Sequence, residues 1–174
     1  LSRVLPPELN RVVFLNTGSE AVELGIKMAW AATGSDRMAV VEHGYYGATA
    51  CALKMSEVGR GASYLPEVGE IVRLPLPDCG NCPAGCSGTG EETPCSGEFP
   101  CLKELEALTE TENNLAGIIY EPVMVRAGIL LPPEGYGKRV KELTSRCGAL
   151  LISEEVTTGM GRTGAWFGHQ HYGL

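Results

Sequence analysis

Residues Ala149 to Gly164 set the tightest limit on what this chain can fold into. Four apolar residues, Ala149-Leu150-Leu151-Ile152, run into Ser153-Glu154-Glu155, and a polar, glycine-bearing stretch from Val156 to Gly164 follows. A short unbroken apolar run suits a strand buried on both faces, as in a parallel sheet. Ligands in such sheets bind just beyond the carboxyl ends of the strands. Glu154 and Glu155 are therefore expected beside a ligand. Burying a carboxylate there is costly unless a cation or a donor meets it. Side chains alternate along a strand, so Glu154 and Glu155 point to opposite faces. A solvated strand end is the plainer alternative.

The rest of the chain repeats this unit. Strands are expected to begin near Arg11, Met38, Ile71, Ala116 and Ala149, with helices between them. One helix follows Ser19-Glu20, with Ala21, Leu24, Met28 and Ala29 on one face and Glu23 paired with Lys27. Others cover Ala50 to Met55, Leu102 to Thr109, and the stretch from Tyr136 to about Cys147. Alternating strands and helices predict an α/β domain with a largely parallel sheet. The first expected strand, Arg11 to Leu15, passes into the turn Asn16-Thr17-Gly18-Ser19 and then a helix. Open amides at such a helix start, together with its dipole, attract anions. The residues alone fit a phosphate site at Gly18 and Ser19 and a helix cap by Asn16 or Thr17 equally well.

Composition narrows the function. A net charge of −7 argues against nucleic acid as a partner. No apolar run approaches membrane-spanning length, and no secretory leader is visible. Seven cysteines are many, but an odd number with uneven spacing makes a poor secreted disulfide framework, so a cytoplasmic setting is expected. Cys79, Cys82, Cys86, Cys95 and Cys101 lie in a Pro-, Gly- and Ser-rich insertion at about residues 76–101. They are weak metal candidates, because their spacing matches neither a zinc ribbon nor a ferredoxin. Unmetallated thiols or a local disulfide fit better.

Four motifs, in order, resemble those of the class III (ornithine/4-aminobutyrate type) aminotransferases. Asn16-Thr17-Gly18-Ser19-Glu20-Ala21 is similar to the family's phosphate loop. Gly44-Tyr45-Tyr46-Gly47 resembles the segment whose aromatic residue stacks on the cofactor ring. Glu121-Pro122-Val123 resembles the active-site edge, and Glu154-Glu155-Val156-Thr157-Thr158-Gly159 the acid that pairs with the pyridine nitrogen. The resemblance implies the fold-type I architecture, with residues 1–174 forming part of the large domain that binds pyridoxal 5'-phosphate (PLP). It implies Thr17, Gly18, Ser19, Tyr45, Tyr46, Glu154 and Thr157 as cofactor-binding residues. Glu154 and Glu121 become the catalytic candidates, and Glu155 the runner-up for the pyridine nitrogen. It further implies a homodimer that moves an amino group from an amine or omega-amino acid to a keto acid.

Three departures stand out. Glu154 replaces the usual Asp, and Thr157 the usual Gln. Arg126 stands where dual-specificity members carry a gating Glu, and a cation there suits an acidic group on the substrate; a solvated loop arginine is the alternative. His43 is expected to make a local hydrogen bond only. The family's Schiff-base lysine has no counterpart, because Lys54, Lys103, Lys138 and Lys141 lie outside a matching motif. The chain thus reads as an internal fragment, inactive alone. The alternatives are a decarboxylase or aminomutase of the same family, and a non-catalytic metal- or phosphate-binding module.

Overall fold

The computed structural model describes residues 3–82, 99–111 and 114–174, without the side chain of residue 111. Four short apolar runs pair into one sheet: β1 (Arg37–Val41), β2 (Ile71–Leu74), β3 (Leu115–Tyr120) and β4 (Leu150–Ser153). Their order is β2-β1-β3-β4, and every neighbouring pair is parallel. Parallel strands need crossovers, which helices supply by covering both faces. The helices are α1 (Gly18–Thr33), α2 (Ala50–Met55), α3 (Lys103–Thr111) and α4 (Tyr136–Cys147).

Two cores result. Val22, Ile26 and Ala29 of α1 and Ala52 of α2 pack with Met38, Val40 and Ile119 on one face of the sheet. Leu105 of α3 and Val140 and Leu143 of α4 pack with Ala39, Ile118 and Tyr120 on the other. β3 feeds both cores through a bulge. Arg37 lies opposite Leu115 but Met38 lies opposite Gly117, so Ala116 is an extra residue. An inserted residue resets the alternation of side chains. Ala116 and Ile119 therefore share one core while Leu115, Ile118 and Tyr120 share the other.

The expected helices and four of the five expected strands are present; each of these strands starts within a residue of its expected position, whereas α1 begins at Gly18, before the expected Ser19-Glu20 boundary. Arg11 to Leu15 is the exception: it forms no strand, and Phe14 is 87% exposed. A β-type run becomes a strand only against a partner backbone, and among the described residues it has none. β4 also differs from expectation. It lies at an edge of the sheet, so its residues are half-buried or exposed despite their apolar character.

Most of the cysteine-rich insertion, including Cys86 and Cys95, lies outside the described residues. Cys101 is buried in the α3–α4 core and Cys79 packs against it. Among the described residues, no group of three or more His, Cys, Asp or Glu side chains could hold a metal ion. No helix among them is long and apolar enough to cross a membrane.

Candidate active site

The sheet's register brings two acids together. Gly117 to Tyr120 of β3 lie opposite Leu150 to Ser153 of β4. One rung further, Glu121 meets Glu154, and the Glu154 amide extends the ladder by donating to the Tyr120 carbonyl at 2.8 Å. Tyr120 points to the α3–α4 core, so alternation sends Glu121 to the α1 side. Both acids are buried, Glu121 to 5% and Glu154 to 6% exposure.

Neither has enough donors for a buried carboxylate. Glu121 accepts from the Tyr45 amide at 3.1 Å, and Glu154 from the Val156 amide at 2.9 Å. Burial pushes the Glu121 carboxyl up to about 7; the Tyr45 bond opposes this and the charge of Glu154 adds to it. Burial also raises Glu154, against the Val156 bond and with the charge of Glu155. Two underpartnered acids on one face form a site that favours a cation.

Glu155 faces the other way and is saturated. It accepts from the hydroxyls of Ser153 and Thr158, the amides of Gly168 and His169, and the His169 ring. Burial pushes its carboxyl up, but these donors outweigh burial and hold it below the usual range. Glu155 therefore has little to offer a ligand cation, whereas Glu154 has most of its acceptor capacity open.

The start of α1 lies beside the same strand tip. A Cβ added to Gly18 would stand 2.7 Å from Cγ2 of Val156, two residues past Glu154. Only a glycine fits here without displacing that valine. Thr17 forms the helix cap: its hydroxyl accepts the Glu20 amide, while Glu20 accepts the amides of Asn16 and Thr17. The capping reading is thus correct for Thr17. The amides of Gly18 and Ser19 meet no acceptor among the described residues, so the helix start still offers two donors to an anion.

The loop after β1 closes the third side. The Ser19 hydroxyl accepts the Ala48 amide at 3.0 Å, and the Thr49 hydroxyl oxygen, whose proton goes to Glu23, lies 3.2 Å from the Ser19 carbonyl. Gly47 permits this approach. Its φ is 132°, and a Cβ there would stand 2.8 Å from the Ser19 Cα. Glu23 fixes α2 to α1 by accepting the amides of Cys51 and Ala52 and the Thr49 hydroxyl.

The two tyrosines of this loop separate. Tyr45 is 39% exposed, with the Arg126 guanidinium 5.4 Å from its ring centroid. Tyr46 turns into the α1–α2 core, where its hydroxyl donates to the Val41 carbonyl and accepts the Val41 amide. Tyr46, expected at the cofactor, packs its side chain in this core, 2% exposed. The backbone amide of His43 lies 3.4 Å from Glu57, a local contact. Thr157 is exposed on the loop beyond Glu154. Sequence reasoning missed His169. Fourteen residues separate it from Glu155, and no local pattern links the two.

The parallel sheet with flanking helices is the fold-type I architecture of the transaminases. The architecture matches an amine transaminase from an uncultivated Pseudomonas species in its PLP-bound form, with a TM-score of 0.80 and 30% identity over 94% of this chain and 38% of that one. It also matches a Bacillus anthracis aminotransferase, with a TM-score of 0.77 and 31% identity over 93% and 37% of the two chains.

The chain belongs to the class III aminotransferases, whose family model, Aminotransferase class-III, matches residues 1–174. It is 35% identical to the adenosylmethionine-8-amino-7-oxononanoate aminotransferase of Geobacter sulfurreducens, over 96% of this chain and 38% of that protein. It is 33% identical to the acetylornithine aminotransferase of Methanopyrus kandleri, over 98% and 38%. The leucine/methionine racemase of Thermococcus litoralis is also 33% identical, over 100% and 39%. The chain thus spans under two fifths of the length of these relatives.

Proposed function

We propose that the intact enzyme is a PLP-dependent transaminase that moves an amino group from an amine or omega-amino acid to a keto acid. The observation that carries this reading is the pair of buried, underpartnered acids on the face where α1 begins. Glu154 suits a protonated ring nitrogen, which would supply the cation this buried carboxylate lacks. The amides of Gly18 and Ser19 suit the phosphate, and the Ser19 hydroxyl proton is available to donate because its oxygen is the acceptor for Ala48. The exposed ring of Tyr45 suits a planar aromatic neighbour.

PLP, when bound, supplies the electron sink that eases removal of a proton next to the substrate nitrogen. The chain's own residues hold and tune that group. Glu154 keeps a proton on the ring nitrogen through its negative charge. Glu121 anchors the Tyr45 amide and so sets the height of the stacking ring. Thr17 holds the turn that presents Gly18 and Ser19, and Thr157 lines the loop beyond Glu154. A homodimer in the cytoplasm belongs to the same reading, in keeping with the family and the cysteine-rich composition.

Incubated with PLP, an amine donor and a keto acid, the intact enzyme is expected to form a new carbonyl compound and a new amine in equal amounts. The racemase relative motivates a second reading. Inversion of one amino acid with no keto acid consumed would favour that reading over transamination.

Arg126 is part of the proposal as the group that receives a substrate carboxylate. It makes no ion pair among the described residues, and its contact with Tyr45, the ring proposed to stack on the cofactor, supports this role. Losing a charge-assisted hydrogen bond of about 2 kcal/mol corresponds to roughly thirtyfold. Arg126→Ala should therefore raise KM about thirtyfold for a keto-acid acceptor and leave KM for an aldehyde acceptor nearly unchanged. An equal effect on both acceptors would remove Arg126 from carboxylate recognition.

A further inference from the structure

We propose that Glu155 and His169 form a positioning pair that holds the tip of β4 in the geometry from which Glu154 acts, without either residue touching the cofactor. The inference rests on the transaminase reading and adds residues that the reading does not use. Its basis is the contrast between neighbouring acids. Glu154 accepts one backbone donor; Glu155 accepts five.

Those five donors come from both ends of one loop. Ser153 and Thr158 flank Glu155 itself, and the Ser153 hydroxyl donates at 3.0 Å. The amides of Gly168 and His169 donate from the start of a short 3₁₀ turn, Gly168–Tyr172, at 2.7 and 2.8 Å. His169 Nδ1 lies 2.9 Å from Oε1 of Glu155, and because a carboxylate only accepts, Nδ1 carries the proton. The His169 ring is 7% exposed, is stacked on Phe167 at 5.6 Å between centroids, and leaves Nε2 without a partner among the described residues. Tyr172 ties the same turn to β3 by donating to the Pro122 carbonyl at 2.8 Å.

The clamp therefore bridges the segments that follow β3 and β4. Its effect reaches the site through the backbone. The residues on either side of Glu155 are Glu154, whose carboxylate faces the α1 side, and Val156, an exposed side chain that lies against Gly18 at the start of α1. Displacement at Glu155 moves both the acid and the floor of the anion site. Small misplacements of groups that orient a reacting molecule cost rate far beyond their effect on stability.

The test uses the intact enzyme. His169→Leu keeps apolar volume against Phe167 and removes the ring donor, whereas His169→Asn returns an amide donor close to the Nδ1 position. Thr158→Val removes a second donor at nearly constant shape and serves if His169→Leu does not fold. His169→Leu or Thr158→Val should weaken PLP binding and lower kcat by about tenfold to a hundredfold, and shift the absorbance maximum of the bound cofactor. His169→Asn should recover most of the loss.

A fall in Tm with PLP affinity, absorbance and kcat within twofold of wild type would reduce the pair to ordinary packing and overturn the proposal. Loss of activity in His169→Leu with no recovery in His169→Asn would overturn it as well. Failure of the wild-type enzyme to bind PLP is a separate outcome. It would refute the transaminase reading and this inference together.

Discussion

Replacing Glu154 by glutamine in the intact enzyme is expected to lower kcat about a hundredfold to a thousandfold while the fold persists. Glutamine keeps the length of the side chain and an oxygen to accept the Val156 amide. It loses the negative charge proposed to hold a proton on the ring nitrogen. Removing one preorganised electrostatic group from a water-poor site costs about 2.7–4 kcal/mol of transition-state stabilisation, which sets the expected range. Folding should not suffer, because burial already disfavours the charged form of Glu154. Steady-state turnover, measured with circular dichroism of the same sample, checks both halves. Near-normal turnover with a native spectrum would show that the acid at the β4 tip does not serve the cofactor.

The second large effect concerns stability against pH in the apoenzyme. Burial, with help from the charge of Glu154, raises the Glu121 carboxyl from 4.5 to about 7. A raised carboxyl binds its proton more tightly in the folded state. Its stabilising contribution is complete below pH 4.5 and is lost as pH rises through about 7. The displacement corresponds to on the order of 3 kcal/mol. Glu155 titrates in the opposite sense, because its carboxyl is lowered and its contribution disappears as pH falls.

The Glu121→Gln variant isolates the first term. Above pH 7 the variant should melt several degrees higher than wild type, and near pH 4 the advantage should vanish. Glutamine retains an acceptor for the Tyr45 amide, so the comparison does not sacrifice that bond. A difference in melting temperature that stays constant from pH 4 to pH 8 would show that Glu121 is ionised normally.

Much of the fold was legible because it depends on local patterns. The helix cap at Asn16 or Thr17 and the apolar runs of β1, β3 and β4 are written in neighbouring residues. The face of α1 was misjudged: of the expected Ala21, Leu24, Met28 and Ala29 only Ala29 is buried, and it shares the core with Val22 and Ile26 while Met28 is exposed. Arg11 to Leu15 was misread because strand formation depends on a partner backbone, which residue type does not encode. The burial of Tyr46 beside the exposed Tyr45 was not legible, because two adjacent tyrosines look alike in a motif. Only the path of the loop decides which ring enters the core. The pairing of Glu121 with Glu154 depends on strand register, and the link from Glu155 to His169 depends on the return of a distant turn. Neither leaves a mark in local spacing.

The bulge at Ala116 carries a consequence for evolution as well as for shape. Strand side chains keep strict phase, so one surplus residue decides which flank of the sheet receives every later side chain. Ala116 thereby directs Tyr120 into one hydrophobic layer and Glu121 toward the α1 side. Loss of that single alanine would put the two halves of β3 out of step, and the chain could keep its packing or its acid pair, but not both. Insertions and deletions should be tolerated in the loops of this domain long before they are tolerated at this small, chemically silent position.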